Sequence, residues 1–384
     1  MLWGLMLRRL KKGFILIFAR EPRLKWGEQA KRMNGNKMKR FSWIAAFLIL
    51  SLAVVAWFGR GAALFGQAPV GRSFEQYRAV GAAKAQTPWS PQAFAITYGG
   101  RIELNAEEGQ NVKVWLPLAS DRDGQKILKR EIHIPYDFEV TRDPVHENEM
   151  AFFEVPSPAP SAIEFTIDYV AEVSQDEFYR RNEEQSAEKY LTPSRLMVID
   201  EEVEKRVKAA TMGRNSVLQK ARAIFDDVLG HMSYDKSMPG WGHGDTLRAC
   251  LLGKGNCTDF HSLFISMSLA SHIPSRFKIG LPIPDESEGS ISGYHCWAEF
   301  YDPRSGWQPV DVSESWKHPE LTNAYFARFS TNKFLLSVGR DLILVPRQSD
   351  APVNIFFNPY VEIDGVASEA KFEPEFYFRK QNQK

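Results

Sequence analysis

Cysteine is scarce in this chain: 384 residues hold three, Cys250, Cys257 and Cys296. Three thiols cannot form a disulfide framework, and an odd number leaves one unpaired or bridged to another molecule. Cys250 and Cys296 could bond, but spacing alone does not decide it. Net charge is equally slight, +1 from 48 basic and 47 acidic residues, which excludes bulk electrostatic attraction to nucleic acid. Charge of either sign is missing altogether from residues 41–59. The rest is ordinary, with 44% hydrophobic and 25% charged residues, enough for two domains and a sizeable core.

The uncharged run has a basic approach. Residues 1–40 contain twelve Lys or Arg and two acids, Glu21 and Glu28. Nineteen helical residues span roughly 28 Å, close to the hydrocarbon thickness of a bilayer. The spacing predicts a transmembrane or signal helix over 41–59, with 1–40 a basic cytoplasmic segment or an upstream extension. Positive charge stays inside, so the chain beyond Arg60 faces outward, periplasmic or extracytoplasmic. Two forms fit this cell-envelope location. One is an anchor in the inner membrane; the other is a signal cleaved near Gly66-Gln67-Ala68.

Residues 60–93 are rich in Ala, Gly, Gln and Pro and read as a linker. From 94 to 175 the pattern turns to period two. Val112, Val114 and Leu116 alternate along one run and Ile163, Phe165, Ile167 and Tyr169 along another, and turn clusters separate the runs. Short strands at this spacing predict an antiparallel β-sandwich. Helical spacing comes next. Asp200 is placed to cap a helix over 201–210, and Ser216 to cap the one after, whose apolar stripe runs Leu218, Ala221, Ile224, Phe225 and Val228. Gly230 suits a left-handed position just past that helix. Beyond residue 311 further strands are expected, and 366–384 reads as a charged, loosely held tail.

Chemistry concentrates between Gly255 and Val312. Gly255-Asn256-Cys257-Thr258-Asp259 precedes an apolar helix, and Ile273-Pro274-Ser275-Arg276 succeeds it. Then come His295-Cys296-Trp297-Ala298-Glu299-Phe300-Tyr301 and, after a turn, Gly306-Trp307-Gln308-Pro309-Val310-Asp311. A thiol at a helix start meets unpaired backbone N–H groups that favour its anion. An imidazole can hold the proton and deliver it to a leaving amine, and a carboxylate can fix the ring's tautomer. Parity supports this grouping. Pairing Glu299 with Trp307 sets His295 opposite Asp311, pairing Tyr301 with Trp307 makes them diagonal neighbours, and a one-residue slip separates them.

These motifs resemble the transglutaminase-like core of papain-type cysteine enzymes, specifically over about 234–311 and more loosely through 365. The resemblance is to bacterial exported members, since the calcium loops of animal cross-linking enzymes are absent. It implies Cys257 as nucleophile, His295 as base and Asp311 as the orienting residue, with no cofactor or metal. The expected fold is α+β, a transglutaminase-like domain over 176–365 behind a β-sandwich over 94–175. Tyr234, Trp241 and His243 line the approach to Cys257, and one of them could supply a second oxyanion donor. Trp297 is expected to pack over His295. Asp259 reads as a first-turn helix acid, His261 as a residue about 40° around the helix from Cys257, and Arg276 as a salt-bridge partner.

The reaction expected is cysteine-dependent attack on an amide bond through a thioester, with peptide hydrolysis first and transamidation or deamidation of protein glutamine as alternatives. Two rivals differ in kind. Zinc ligation by Cys250, Cys257, His295 and Cys296, with His243 nearby, matches no zinc spacing, and neighbouring strand residues point to opposite faces. A non-catalytic binding module would retain the fold without the reaction. A protein or peptide partner is implied, with membrane contact through the N-terminal segment; nothing sets the oligomeric state.

Overall fold

Alternating burial builds the first part of the structure, a computed structural model that describes residues 90–381 except 123, 177 and 179–186. Six strands come first: β1 (Gln92–Glu103), β2 (Val112–Leu118), β3 (Gln125–His133), β4 (Glu139–Arg142), β5 (Glu149–Val155) and β6 (Ala162–Val173). In β6, Ile163, Phe165, Ile167, Tyr169, Ala171 and Val173 are buried while the residues between them are more exposed. Period-two patterning thus marks a one-sided apolar face.

The helical part contains α1 (Glu201–Thr211), α2 (Val217–His231), β7 (Ser233–Tyr234), α3 (Thr246–Leu252), β8 (Lys254–Gly255) and α4 (Cys257–Ala270). Asp200 caps α1 by accepting the Val203 N–H at 3.0 Å. Ser216 caps α2 in a capping box with Gln219. Gly230 corrects the reading: α2 runs on through His231, so this glycine lies inside the helix rather than beyond it.

Next come β9 (Ser275–Pro282), β10 (Glu288–Ser290), β11 (His295–Asp302), β12 (Gly306–Val310), α5 (Val312–Lys317) and β13 (Lys333–Val338). Strands β12-β11-β9-β13 form one antiparallel sheet. Helix α4 packs on β9 and β11, with α1, α2, α3 and α5 around it. Thirteen of its fourteen residues are buried, which is why it shows little amphipathic pattern. Its serines fit this interior by turning inward: Ser262 Oγ donates to Thr258 O and Ser268 Oγ to Phe264 O, at 2.7 and 2.8 Å.

The chain then returns to its first strands with β14 (Tyr360–Ile363), β15 (Val366–Ala367) and β16 (Phe372–Gln381). The two five-stranded sheets are β10-β16-β1-β6-β3 and β15-β14-β2-β5-β4; most of their buried apolar residues join one cluster with the helical part, while Trp115 and Met150 pack in a smaller one with Leu342, Leu344 and Phe356. The expected loose tail is therefore corrected. Strand β16 pairs along β1 from Ala93↔Gln381 to Ile102↔Phe372, and Phe376 and Phe378 are buried. Charged Glu373, Glu375 and Arg379 disguise this strand in the sequence because they occupy its exposed face. Sheets begun before residue 119 are completed after residue 359, so a boundary at 175 does not partition them. All described residues fall within one compact unit, Pro69–Lys384.

The expected segments 1–40 and 41–59, and nearly all of the linker 60–93, lie outside the described residues. Among those described, no helix is long and apolar enough to cross a membrane.

Candidate active site

Helix α4 begins with an interlocked cap. Asn256 Oδ1 accepts the Thr258 N–H at 2.9 Å, and Asp259 Oδ2 accepts the Asn256 N–H at 2.9 Å. This capping box puts Cys257, 2% exposed, at the first helical position, where the helix dipole favours a thiolate. A Cβ at Gly255 would lie 2.3 Å from Asp259 Oδ2, so only glycine fits before the cap. Asp259 does more than cap. Its carboxylate also accepts the Gly242 and Gly244 N–H groups at 2.7 and 3.1 Å, fastening the Trp241–His243 loop to the helix start. Burial pushes this carboxyl up.

His295 opens β11, and Asp311 stands just past β12 as the N-cap of α5. The register is Tyr301↔Trp307 and Ala298↔Val310, the diagonal arrangement. His295 Nε2 lies 2.7 Å from Asp311 Oδ2. Lys333 Nζ, on β13, reaches the same oxygen at 2.5 Å, while Oδ1 accepts the Glu314 N–H and the Ser313 hydroxyl. Burial pushes the Asp311 carboxyl upward, but His295 and Lys333 outweigh it and hold the group well below the ordinary carboxylate range.

With Nε2 taken by Asp311, Nδ1 is the ring nitrogen left to face Cys257, whose thiol helps to raise the imidazole. Burial acts to lower the imidazole; Asp311 and Cys257 prevail and raise it to about 9. The Cys257 thiol is held well below its usual value, first by a hydrogen bond donated from Cys296 and then, against burial, by His295. Both shifts favour the thiolate–imidazolium form of the pair. Trp297 stacks on His295, centroids 6.2 Å apart and planes at 18°, as its place two residues along the strand suggests.

The Cys296 thiol, beside His295 on β11, lies 3.4 Å from Thr258 Oγ1 in the first turn of α4. All three cysteines are free, with Cys250 half-buried next to His231, whose Nε2 lies 2.8 Å from the Cys250 carbonyl. Among the described residues no three His, Cys, Asp or Glu side chains gather as a metal site requires.

Of the cleft candidates, Tyr234 is half-buried and electrostatically coupled to Cys257, and burial pushes its phenol up, so it stays protonated. Trp241 is exposed, with Lys236 Nζ 5.0 Å over its ring. The exposed His243 contributes its carbonyl, which accepts from Arg340 and from Asn354 at 2.7 and 3.1 Å. Arg276 pairs with buried Glu299, Nε to Oε2 2.7 Å, beside Lys278.

Two side chains escaped the sequence reading. Lys333 sits in an apolar strand with no local pattern to mark it. Tyr294, beside His295, accepts a hydrogen bond from Asn256 Nδ2 at 2.9 Å and so braces the cap. His261 takes a definite place as well: Nδ1 lies 2.7 Å from the Cys257 carbonyl, and Nε2 accepts the Val312 N–H at 3.1 Å.

Residues 204–312, a stretch that holds Cys257, His295 and Asp311, match the family model described as the transglutaminase-like superfamily. Members of that superfamily are generally cysteine-dependent enzymes. A curated relative from Haemophilus influenzae, itself of unassigned function, is 30% identical over 181 residues, covering 38% of this chain and 49% of that one. The match thus spans about half of that relative's length. A solved structure from Cytophaga hutchinsonii, provisionally described as a cysteine protease, is 15% identical with a TM-score of 0.49, covering 76% of this chain and 98% of the other. The periplasmic domain of TgpA from Pseudomonas aeruginosa is 12% identical with a TM-score of 0.33, covering 64% and 93%. Both TM-scores are below 0.5, and neither likeness bears on the chemistry of this chain.

Proposed function

We propose that the protein is an exported cysteine-dependent enzyme that cleaves peptide amide bonds through a thioester. The observation that carries this reading is the buried His295–Asp311 pair, 2.7 Å apart, together with the buried Cys257 at the start of α4. The Cys257 thiolate attacks the carbonyl carbon, forming a C–S bond and a tetrahedral oxyanion. The Cys257 backbone N–H and the protonated Tyr234 phenol stabilise that oxyanion. His295 gives its proton to the amine as the C–N bond breaks, leaving a thioester and a neutral imidazole. Water then adds, its proton passing to His295; the C–S bond breaks and releases a carboxylic acid together with the restored ion pair.

Export rests on the basic run over 1–40 ahead of the uncharged stretch 41–59. The substrate is a protein or peptide reached outside the cytoplasm.

An amide-based thiol trap, read by mass spectrometry on the purified full-length protein, tests the mechanism. Labelling at Cys257, abolished in His295→Ala, is the expected result; labelling that ignores His295 would sink the pairing. Products then separate the reactions. New carboxyl and amine ends mark hydrolysis, incorporation of a fluorescent primary amine marks transamidation, and ammonia release from glutamine marks deamidation. A protein that binds the peptide and never turns it over is a binding module.

A further inference from the structure

A second cleft, of about 210 Å³, lies between the His146 loop, the segment 189–197 and the far end of α4. It meets α4 at Ile265 and Leu269, eight and twelve residues beyond Cys257, hence roughly 12–18 Å along the helix axis from the thiol. It is separate from the triad, and nothing in the proposed reaction uses it.

Its polar lining is unbalanced. Nδ1 of His146 and Oγ of Ser194 are buried and have no hydrogen-bond partner among the described residues. Orphaned buried groups of this kind cost on the order of 1–3 kcal/mol each, so a pair of them on one cleft points to something that satisfies both. The charges on the same wall are positive. Lys189 Nζ donates to the Val145 carbonyl at 2.7 Å and has no carboxylate partner among the described residues. Arg340, buried, donates among the described residues to the Gly244 and His243 carbonyls, Ser262 and Asn354. Asp341, the one acid in the lining, is already held by Arg195 through Nε at 3.0 Å and the backbone N–H at 2.5 Å. Asp143, beneath the His146 loop, spends its oxygens on the N–H groups of Val145, His146 and Asn148.

The histidine can act as a donor here. Burial pushes it down to about 4, so the ring is neutral and carries one proton. Its other edge is pressed on backbone, since a Cβ at Gly339 would lie 2.3 Å from Nε2. With the proton of His146 on Nδ1, the histidine, the Ser194 hydroxyl and the Lys189 ammonium supply three donors in this lining. The remaining wall is apolar, with Ile265, Leu269 and Leu342 among its residues. A bare phosphate would leave that surface unused.

We propose that this cleft binds an organic carboxylate with an aliphatic body, such as a leucine-like free acid or the C-terminal carboxylate of a peptide ending in one. The carboxylate takes the three donors, and the aliphatic part lies against the α4 side of the wall.

Calorimetry on the full-length protein tests this without reference to turnover. N-acetyl-leucine is the probe, N-acetyl-leucinamide its uncharged control, and a tetrapeptide ending in leucine separates a chain terminus from a free acid. N-acetyl-leucine is expected to bind at millimolar or better affinity, the amide at least about tenfold more weakly. Ser194→Ala and Lys189→Met, both partly exposed positions that the core tolerates, should each weaken the acid about five- to tenfold and leave the amide unchanged. Tighter binding of the tetrapeptide than of N-acetyl-leucine assigns the site to chain ends, and the reverse assigns it to free acids. The proposal fails if acid and amide bind alike, if inorganic phosphate competes as well as the acid does, or if both variants bind as the parent protein does. Loss of the reaction at Cys257 would not touch these outcomes.

Discussion

Lys333 Nζ lies 2.5 Å from Asp311 Oδ2, the carboxylate oxygen that His295 Nε2 also contacts. In the thiolate–imidazolium form that the shifts favour, these two groups with the Asp311 carboxylate and the Lys333 ammonium make a buried quartet with no net charge. Without the lysine the same three groups would carry a net negative charge away from water, which is costly. Lys333 is thus a positioning and charge-balancing residue that does not touch the reacting atoms. In Lys333→Met, alkylation of Cys257 by iodoacetamide at pH 6 should slow about tenfold, and the midpoint of its pH profile should move upward. Lys333→Arg should restore most of the rate. An unchanged profile in the methionine variant would show that the quartet does not need its fourth member.

The ion pair also fixes a stability profile. Cys257 is depressed below its ordinary value of 9.0, so its contribution is complete above that pH and is lost as pH falls through the folded value. His295 is raised from 6.5 to about 9, so its contribution is complete below 6.5 and is lost as pH rises through about 9. Between 6.5 and 9 the histidine slope opposes the thiol slope. Below 6.5 the histidine slope is gone, and the thiol slope is joined in stronger acid by that of Asp311, which is depressed from 3.8. Denaturant titration should give stability rising more steeply with pH below about 6.5 than between 6.5 and about 9. Cys257→Ala should expose the histidine's own slope, with stability falling as pH rises through that interval. A flat profile in the alanine variant would contradict the raised imidazole.

The sequence made much of this legible, for reasons that can be named. Local chemistry marks the cap of α4, because Gly255, Asn256, Cys257 and Asp259 act on one another within one turn. Strand parity keeps His295 and Asp311 on one face, and the observed register is the diagonal of the two compatible ones. What stayed hidden depends on contacts distant in the chain. Lys333 meets Asp311 because β13 pairs with β9, and β16 finds β1 across some 280 residues. No local pattern encodes either. Gly230 misled because a glycine near a helix end is ambiguous until the next turn is seen, and here the helix continues to His231.

Glu299 offers a test of the floor under the site. It is fully buried and holds two cations, Arg276 through Oε2 and Lys278 through Oε1. Arg276 in turn lies 4.1 Å from the Trp307 ring. Removing the carboxylate takes from both buried cations the counter-charge that Glu299 supplies. Glu299→Ala should lower unfolding free energy by about 3–5 kcal/mol, seen as a reduced denaturant midpoint with an unchanged slope. A loss below about 1 kcal/mol would mean that water or rearrangement already screens the cluster.

His261 is a second buried histidine, 3.6 Å by Nε2 from Asp311 Oδ1, and proximity alone would suggest that it shares the proton traffic of the site. Its hydrogen bonds argue otherwise. A backbone N–H can only donate, so Nε2 facing the Val312 N–H at 3.1 Å presents a lone pair. A carbonyl can only accept, so Nδ1 facing the Cys257 oxygen at 2.7 Å carries the hydrogen. Both ring positions are thereby assigned, and the ring is neutral, in keeping with burial that pushes it down to about 4 against the pull of Asp311. The ring thus works as a strut between the first turn of α4 and the residue after Asp311, holding the sulfur and the carboxylate at a fixed separation. Nitrogen NMR should show a neutral Nδ1–H tautomer at pH 6, with no titration until about pH 4. His261→Ala should cost roughly 2–4 kcal/mol through the cavity and the orphaned Val312 N–H. Because the strut sets the geometry of the ion pair, the variant should also shift the pH midpoint of Cys257 alkylation, which a purely packing role would leave in place. A charged ring at pH 6, or a midpoint unmoved in a folded His261→Ala protein, would return His261 to the status of an ordinary core residue.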